Sequence, residues 1–172
     1  FNEVGVPTYT DEEKAFAQTL IDGYEMPSKD LPGSACDENA EIAEWVAEVS
    51  KNATIPLNDF LVPYWFSTKE RAGSTDVGDV SWLVPTAQIN VVCSPSGAPG
   101  HSWQNVSCGK STIAHKGLLC AGKVIAATAI DLYEQPETIA AAKAEWEKRA
   151  AGGYFCPVPA DAVPVAVGEQ MD

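Results

Sequence analysis

The feature that most limits the fold is the short apolar segment AQINVVC at residues 87–93. The stretch that contains it, SWLVPTAQINVVC, is apolar rather than strictly alternating, which is typical of a strand covered on both faces. A second segment, within residues 57–68, is aromatic and branched and also predicts strand. Pro85 lacks a backbone N–H donor, so the first of these strands is placed after it.

Segments with helical periodicity surround the predicted strands. Thr10 and Glu13 have capping-box spacing, which marks the start of the first of them. The predicted helices cover residues 10–22, 38–51, about 114–133, and Pro136 to about Ala150. Helices that alternate with covered strands predict an α/β fold, here part of a mixed sheet covered by helices. Only two or three strands are visible, so another segment would have to complete the sheet.

Composition excludes some classes of partner. The net charge of −13 argues against nucleic acid, because phosphate binding requires clustered Lys and Arg. No apolar run approaches the ~20 residues that span a bilayer, so no membrane association is predicted. The five cysteines are odd in number and include no CxxC pair, which favours reduced thiols in the cytoplasm. Glycosylation sequons at Asn52 and Asn105 leave a secreted glycoprotein open as the alternative.

His101 is the strongest candidate for a functional residue. It is one of two histidines and follows the predicted strand and a loop of Ser, Pro and Gly. Loops beyond the carboxyl ends of strands carry the ligand sites of open α/β sheets, and neutral imidazole is the commonest metal ligand. A solvated loop histidine is the alternative. A single histidine cannot hold a metal, because a catalytic zinc site uses about three protein ligands.

Three further residues are weaker candidates. Asp76 and Asp79 could bind metal, orient a histidine or transfer protons, but among Gly and Ser they could equally cap turns. His115 lies near the start of the long predicted helix, whose N-terminus could face an anionic group of a substrate. A surface position at a helix end is the alternative for His115. These residues alone do not identify a reaction.

Three stretches taken together resemble a known family. STDVGDVSWLVPT, GHSW and GLLCAGKVIAATAIDLY are similar in order and spacing to the C-terminal part of the metal-dependent amidohydrolases of the aminoacylase/carboxypeptidase clan, in their aminobenzoyl-glutamate utilisation branch. The opening VGVPTYTDEEKAFAQTL resembles the segment that re-enters the catalytic domain after an inserted lid. The resemblance spans most of residues 4–158.

The resemblance implies a catalytic domain built from two sequence halves, with a lid and dimerisation domain inserted between them. Residues 1–158 would form the C-terminal segment of that domain, and residues 159–172 an irregular proline-rich tail. The N-terminal half, absent from this chain, would supply the glutamate that activates water and most ligands of two divalent metals. His101 would be one metal ligand. Asp76 matches an aspartate that the family has near the site, whereas His115 matches no ligand position of the family. Asp79, Ser102 and His115 are weaker candidates for positions beside the metals or the substrate, and no catalytic residue would come from this chain.

The function that the resemblance implies is hydrolysis by metal-activated water, with zinc or manganese, or also cobalt, as the metal. The substrate would be an N-acyl or N-aroyl amino acid similar to aminobenzoyl-glutamate, or a short peptide. The partners would be the N-terminal half, on another chain or a cleaved piece, and a second copy of the whole enzyme in a homodimer. The alternative is a non-catalytic subunit or interaction module that keeps the shape of the family.

Overall fold

The computed structural model describes residues 1–25, 39–52, 56–64 and 75–164. These residues contain six helices joined by loops and turns. In chain order they are α1 (Asp11–Ile21), α2 (Ala40–Asn52), α3 (Val77–Leu83), α4 (Trp103–Gly109), α5 (Thr112–Glu134) and α6 (Pro136–Arg149).

Four of the helices confirm predictions from periodicity and capping. The ends of α1, α2, α5 and α6 lie within two residues of the predicted ends. At the start of α1 the hydroxyl of Thr10 accepts the N–H of Glu13 at 3.2 Å, and the N–H of Thr10 donates to the Glu13 carboxylate at 2.7 Å. This is the reciprocal capping box that the sequence predicted. Pro136 occupies the first turn of α6, where its missing N–H leaves no hydrogen bond unmade.

The predicted α/β fold with a helix-covered mixed sheet is wrong for the part of the chain that the structure describes, which contains no β-strand. Residues 87–93 and 56–64 carry no regular secondary structure, and residues 65–68 of the second predicted strand lie outside the described residues. Helices α3 and α4 were not predicted.

The physical reason lies in what contacts the apolar segment. A β-carbon added to Gly117 of α5 would clash with the carbonyl oxygen of Val92, so the helix backbone packs on the end of this segment, and none of residues 87–93 is buried. Contact with a helix and pairing within a sheet both favour apolar residues. Only the sheet also supplies a ladder of backbone hydrogen bonds from a neighbouring strand, and periodicity does not report that ladder.

The chain divides into two compact units. The first comprises Phe1–Ala72 and Gln88–Glu134, and the second comprises Gly73–Ala87 and Gln135–Asp172. The first unit holds a hydrophobic core, against which Tyr9, Tyr24 and Val92 pack; its buried members are Ala17, Leu20, Leu57, Cys108 and Ile113. A buried hydrogen bond of 3.0 Å from the side-chain amide of Gln104 to the carbonyl of Gly23 joins α4 to the end of α1.

The second unit contains α3 and α6, and neither helix has a buried residue. The indole N–H of Trp146 donates to the carbonyl of Ser81 at 3.0 Å, which links the two helices. Arg149 and Glu145 form an exposed ion pair of 2.7 Å along α6. Exposed ion pairs contribute at most about 1 kcal/mol, so helices with neither buried residues nor strong ion pairs should be only weakly stabilised.

Helix α5 is long and apolar enough to cross a membrane, judged by its 23 residues and its composition alone. Helices that pack in the core of a globular protein meet the same criterion, so this property is weak evidence for a membrane. One side of α5 indeed lies in the core of the first unit, where Ile113 is fully buried. The expectation that the chain has no membrane partner stays a prediction.

Candidate functional site

His101 is an exposed residue at the end of the partly buried loop that precedes α4. The loop ends at Ser102, whose hydroxyl donates to the carbonyl of Pro99 at 2.8 Å and accepts the N–H of Asn105 at 3.2 Å. Ser102 therefore caps α4, which is a structural role. His101 has a φ of 55° and is the one non-glycine residue with positive φ among the described residues. Such a conformation costs roughly 1 kcal/mol, and strained backbone positions cluster at active sites and ligand-binding loops.

The described residues do not make a complete metal site. No group of three or more His, Cys, Asp or Glu side chains that could hold a metal occurs among them. His101 can offer one imidazole nitrogen to a metal, whereas a catalytic site needs about three protein ligands. No catalytic step through a metal follows from these residues alone.

The two aspartates lie in the second unit and have different environments. Asp76 occupies the N-cap position of α3, but its side chain makes no capping hydrogen bond. The hydroxyl of Thr75 instead accepts the N–H of Val77 at 3.3 Å. Asp79 accepts a hydrogen bond of 2.6 Å from the phenol of Tyr154. That hydrogen bond is the main reason why the pKa of Tyr154 is raised well above its ordinary value.

His115 lies on an exposed part of α5 in the first unit, so the first unit carries His101, Ser102 and His115. Each of the two units thus holds part of the predicted set. A groove of about 450 Å³ in the second unit contains none of the predicted residues; it is lined by Ser81, Trp82, Pro85, Thr86, Ala142, Glu145, Trp146, Arg149 and Ala150.

A polar cluster that the sequence did not predict lies between α1 and the start of α5. One carboxylate oxygen of Glu13 accepts from the hydroxyl of Thr112 at 2.6 Å, and the other accepts from Lys116 Nζ at 2.6 Å. Lys116 also donates to the carbonyl of Thr8 at 2.9 Å. The capping box was a signal for Glu13, but nothing local in the sequence connects it to residues about 100 positions away.

The contacts of Glu13 indicate a structural role for this cluster, and the direction of its pKa shift agrees with them. Burial acts to raise the pKa, but hydrogen bonds from Lys116, Thr112 and the Thr10 N–H, together with the charge of Lys116, outweigh it and lower the pKa to about 2. A general acid or base works best when its pKa lies near the operating pH. Glu13 stays ionised at neutral pH and therefore joins two helices rather than transferring protons.

Comparison with characterised proteins shows that this chain is similar to one segment of a hydrolase subunit. The relative is a p-aminobenzoyl-glutamate hydrolase subunit of Escherichia coli (strain K12), which is 34% identical over 165 residues. This match confirms the resemblance predicted from the three sequence stretches. It takes in 93% of this chain and 33% of the relative, so the chain spans about one third of the relative's length.

Two further comparisons identified no relatives. No family model matches the chain, and no solved structure matches it.

Proposed function

We propose that this chain is part of an amidohydrolase that cleaves the amide bond of an N-acyl or N-aroyl amino acid, with aminobenzoyl-glutamate as the model substrate, or of a short peptide. The observation that carries the proposal is the 34% identity to a p-aminobenzoyl-glutamate hydrolase subunit over nearly the whole chain. In this reaction water adds to the amide carbonyl, the C–N bond breaks, and the amine leaves with a proton.

In this proposal His101 is one ligand of a divalent metal centre, and the other ligands come from the remainder of the enzyme. The metal is zinc, manganese or cobalt. A bound divalent metal lowers the pKa of water and polarises the carbonyl of the amide. The contribution of this chain is to hold the imidazole in place. Ser102, capping α4, fixes the end of the loop, and the left-handed backbone of His101 gives the side chain a defined direction.

The remainder of the enzyme corresponds to the two thirds of the relative that have no counterpart in this chain. The same proposal holds that the whole enzyme is a homodimer in the cytoplasm. The alternative is a non-catalytic subunit. Metal content and hydrolysis, both measured in the assembled protein, distinguish the two: the enzyme should have both, and a non-catalytic subunit should hydrolyse no amide.

The test is a chimera in which this chain replaces the matched third of the E. coli relative. Release of p-aminobenzoate from p-aminobenzoyl-glutamate is followed by chromatography, and bound metal by elemental mass spectrometry. The decisive variant is His101→Asn, because asparagine tolerates the left-handed backbone better than most residues but removes the imidazole. We expect it to lower metal occupancy about tenfold or more, together with the rate of hydrolysis.

The matched comparison is His115→Asn, which removes the other histidine of the chain from an exposed helical position. We expect it to leave the metal content unchanged. An equal loss in both variants would point to a general effect on folding, and a His101→Asn chimera with full metal content and full activity would refute the assignment of His101. A chimera that folds and binds metal but hydrolyses no amide would favour the non-catalytic alternative.

A further inference from the structure

Helix α5 is apolar on two opposite sides. The side that faces the core of the first unit is buried, and its residues are Ile113, Ala114, Gly117, Cys120 and Val124. On the opposite side, five large apolar side chains are between 57% and 88% exposed: Leu118, Leu119, Ile125, Ile130 and Tyr133. These five residues define the outer face of α5. A helix that is apolar on all sides is ordinarily buried on all sides.

The outer face continues along most of α5. Residues about two turns apart share one side of a helix, and Leu118, Ile125 and Tyr133, seven and eight residues apart, follow that spacing over about four turns. The residues between them on this side, Gly122 and Ala126, are small and uncharged. Contiguous exposed apolar surface of this kind marks a place where another molecule binds.

We propose that the outer face of α5 is the surface on which the remaining part of the hydrolase docks, an inference that rests on the proposed function. The occupant is the polypeptide that corresponds to about two thirds of the E. coli relative, since the match leaves that share without a counterpart in this chain. A segment of that size can supply the apolar surface that would cover four helical turns.

The arrangement of α5 fits a protein partner better than a lipid bilayer. A helix that spans a bilayer on its own meets lipid on every side, whereas one side of α5 packs on the core and on the backbone of Val92. Lys116 forms its ion pair with Glu13 from the flank of the same helix. Only one side of α5 is therefore available, as expected for a surface between two protein segments.

The test is to express this chain together with the complementary two thirds of the E. coli relative and to measure the complex by size-exclusion chromatography with light scattering. The probing variant is Leu119→Glu with Ile130→Glu, which places two charges on the outer face. Both side chains are more than half exposed, so the chain itself should keep its helix content. We expect the affinity for the complementary segment to fall at least tenfold.

The matched control is Val106→Glu with Ile139→Glu, which adds the same two charges at exposed apolar positions of α4 and α6. We expect the control to bind the complementary segment as the unaltered chain does. Equal loss in both double variants would overturn the inference, because it would show a general effect of charge. A complex that survives the charges on α5, or a folded complementary segment that forms no complex with this chain, would also overturn it.

Two other occupants are outcomes of the same experiment. A homodimer of this chain that Leu119→Glu with Ile130→Glu dissociates would show that a second copy covers the face. Binding of the chain to vesicles of phosphatidylcholine and phosphatidylglycerol, lost in the same variant, would show that lipid covers it. Either outcome would overturn the proposal.

The chimera with the E. coli relative provides a second measurement if the complementary segment does not fold alone. There, the α5 double variant should lower the unfolding temperature by clearly more than the α4 and α6 control. Hydrolysis is recorded in parallel. An active chimera that tolerates charges on α5 would refute the docking surface but support the proposed function. A chimera in which charges on α5 disrupt docking, but which hydrolyses no amide in its unaltered form, would support the docking surface and refute the proposed function.

Discussion

The two units of this chain are stabilised in different ways. In the first unit, α1, α4 and α5 meet around buried side chains, and the carboxylate of Glu13 is ion-paired inside the contact. In the second unit, α3 and α6 have no buried residue; a hydrogen bond from Trp146 to Ser81 links them, and exposed ion pairs lie along α6. Burial of apolar area contributes far more free energy than exposed polar contacts do. The first unit should therefore carry nearly all of the stability.

The largest expected effect comes from removing a buried side chain of the first unit. Ile113 is fully buried, and Ile113→Ala should lower the free energy of unfolding by about 3 kcal/mol, because it removes buried methyl groups and leaves a cavity. The control is Ile139→Ala in the second unit, where the side chain is 49% exposed. Denaturation by urea, followed by circular dichroism, measures both. Equal losses of unfolding free energy in the two variants would show that the two units do not differ in how burial stabilises them.

A smaller effect is expected at the contact between α5 and the segment at 87–93. Gly117→Ala places a methyl group against the carbonyl of Val92 and should destabilise the chain by about 2 kcal/mol. Gly122→Ala on the same helix has nothing within 4 Å of the added carbon and should stabilise by about 0.5–1 kcal/mol through helix propensity. Two changes of the same sign would show that α5 does not pack on Val92.

Acid should weaken the first unit through Glu13. Because its pKa in the folded chain is about 2, against an ordinary 4.5, the folded state binds fewer protons than the unfolded state between these values. The stabilisation is complete above about pH 4.5 and is lost as the pH falls toward 2. Glu13→Gln should cost on the order of 2 kcal/mol at pH 7 and remove this part of the pH dependence.

The control for this prediction is Glu12→Gln, at an exposed position of the same helix. Urea denaturation at pH 7 and pH 3 compares the two variants. If Glu13→Gln kept the acid dependence of the unaltered chain, the ion pair with Lys116 would not be a major support of the first unit.

The smallest effect is expected from the surface contact of the second unit. Asp79→Asn removes the charged acceptor of the Tyr154 phenol, so the pKa of Tyr154 should move down toward its ordinary value. Titration of phenol absorbance at alkaline pH, with Tyr154→Phe identifying the signal, measures this change. The unfolding curve should hardly move. A clear loss of stability would mean that the second unit depends on this contact more than its exposure indicates.

Local chemistry predicted the helices well. The capping box of α1 and the proline at the start of α6 act within one or two turns, so the sequence alone locates these ends. The apolar segment at 87–93 was interpreted wrongly because apolar residues do not reveal whether a strand or a helix lies against them, and here a helix contacts only the end of the segment. Helix α4 was missed because it is only seven residues long, too short for a periodic signal.

The candidate site was predictable only as separate motifs. The loop of His101 was predictable from its Ser, Pro and Gly residues. The resemblance of the chain to a hydrolase family was confirmed by the E. coli relative. The role of His101 as a metal ligand stays a prediction, as do those of Asp76, Asp79, Ser102 and His115. Its left-handed backbone could not be predicted, because most histidines adopt other conformations and no local feature of the sequence marks this one.

The sequence by itself determined the positions of four helices, the loop that carries His101 and the resemblance to amidohydrolases, since each of these depends on residues close together along the chain. Only the tertiary structure decided that Glu13 pairs with Lys116, that α5 rather than a sheet packs on Val92, and that one apolar face of α5 stays exposed. Those features join residues distant along the chain. Their energies come from desolvation and close packing, which depend on the neighbours that folding brings together.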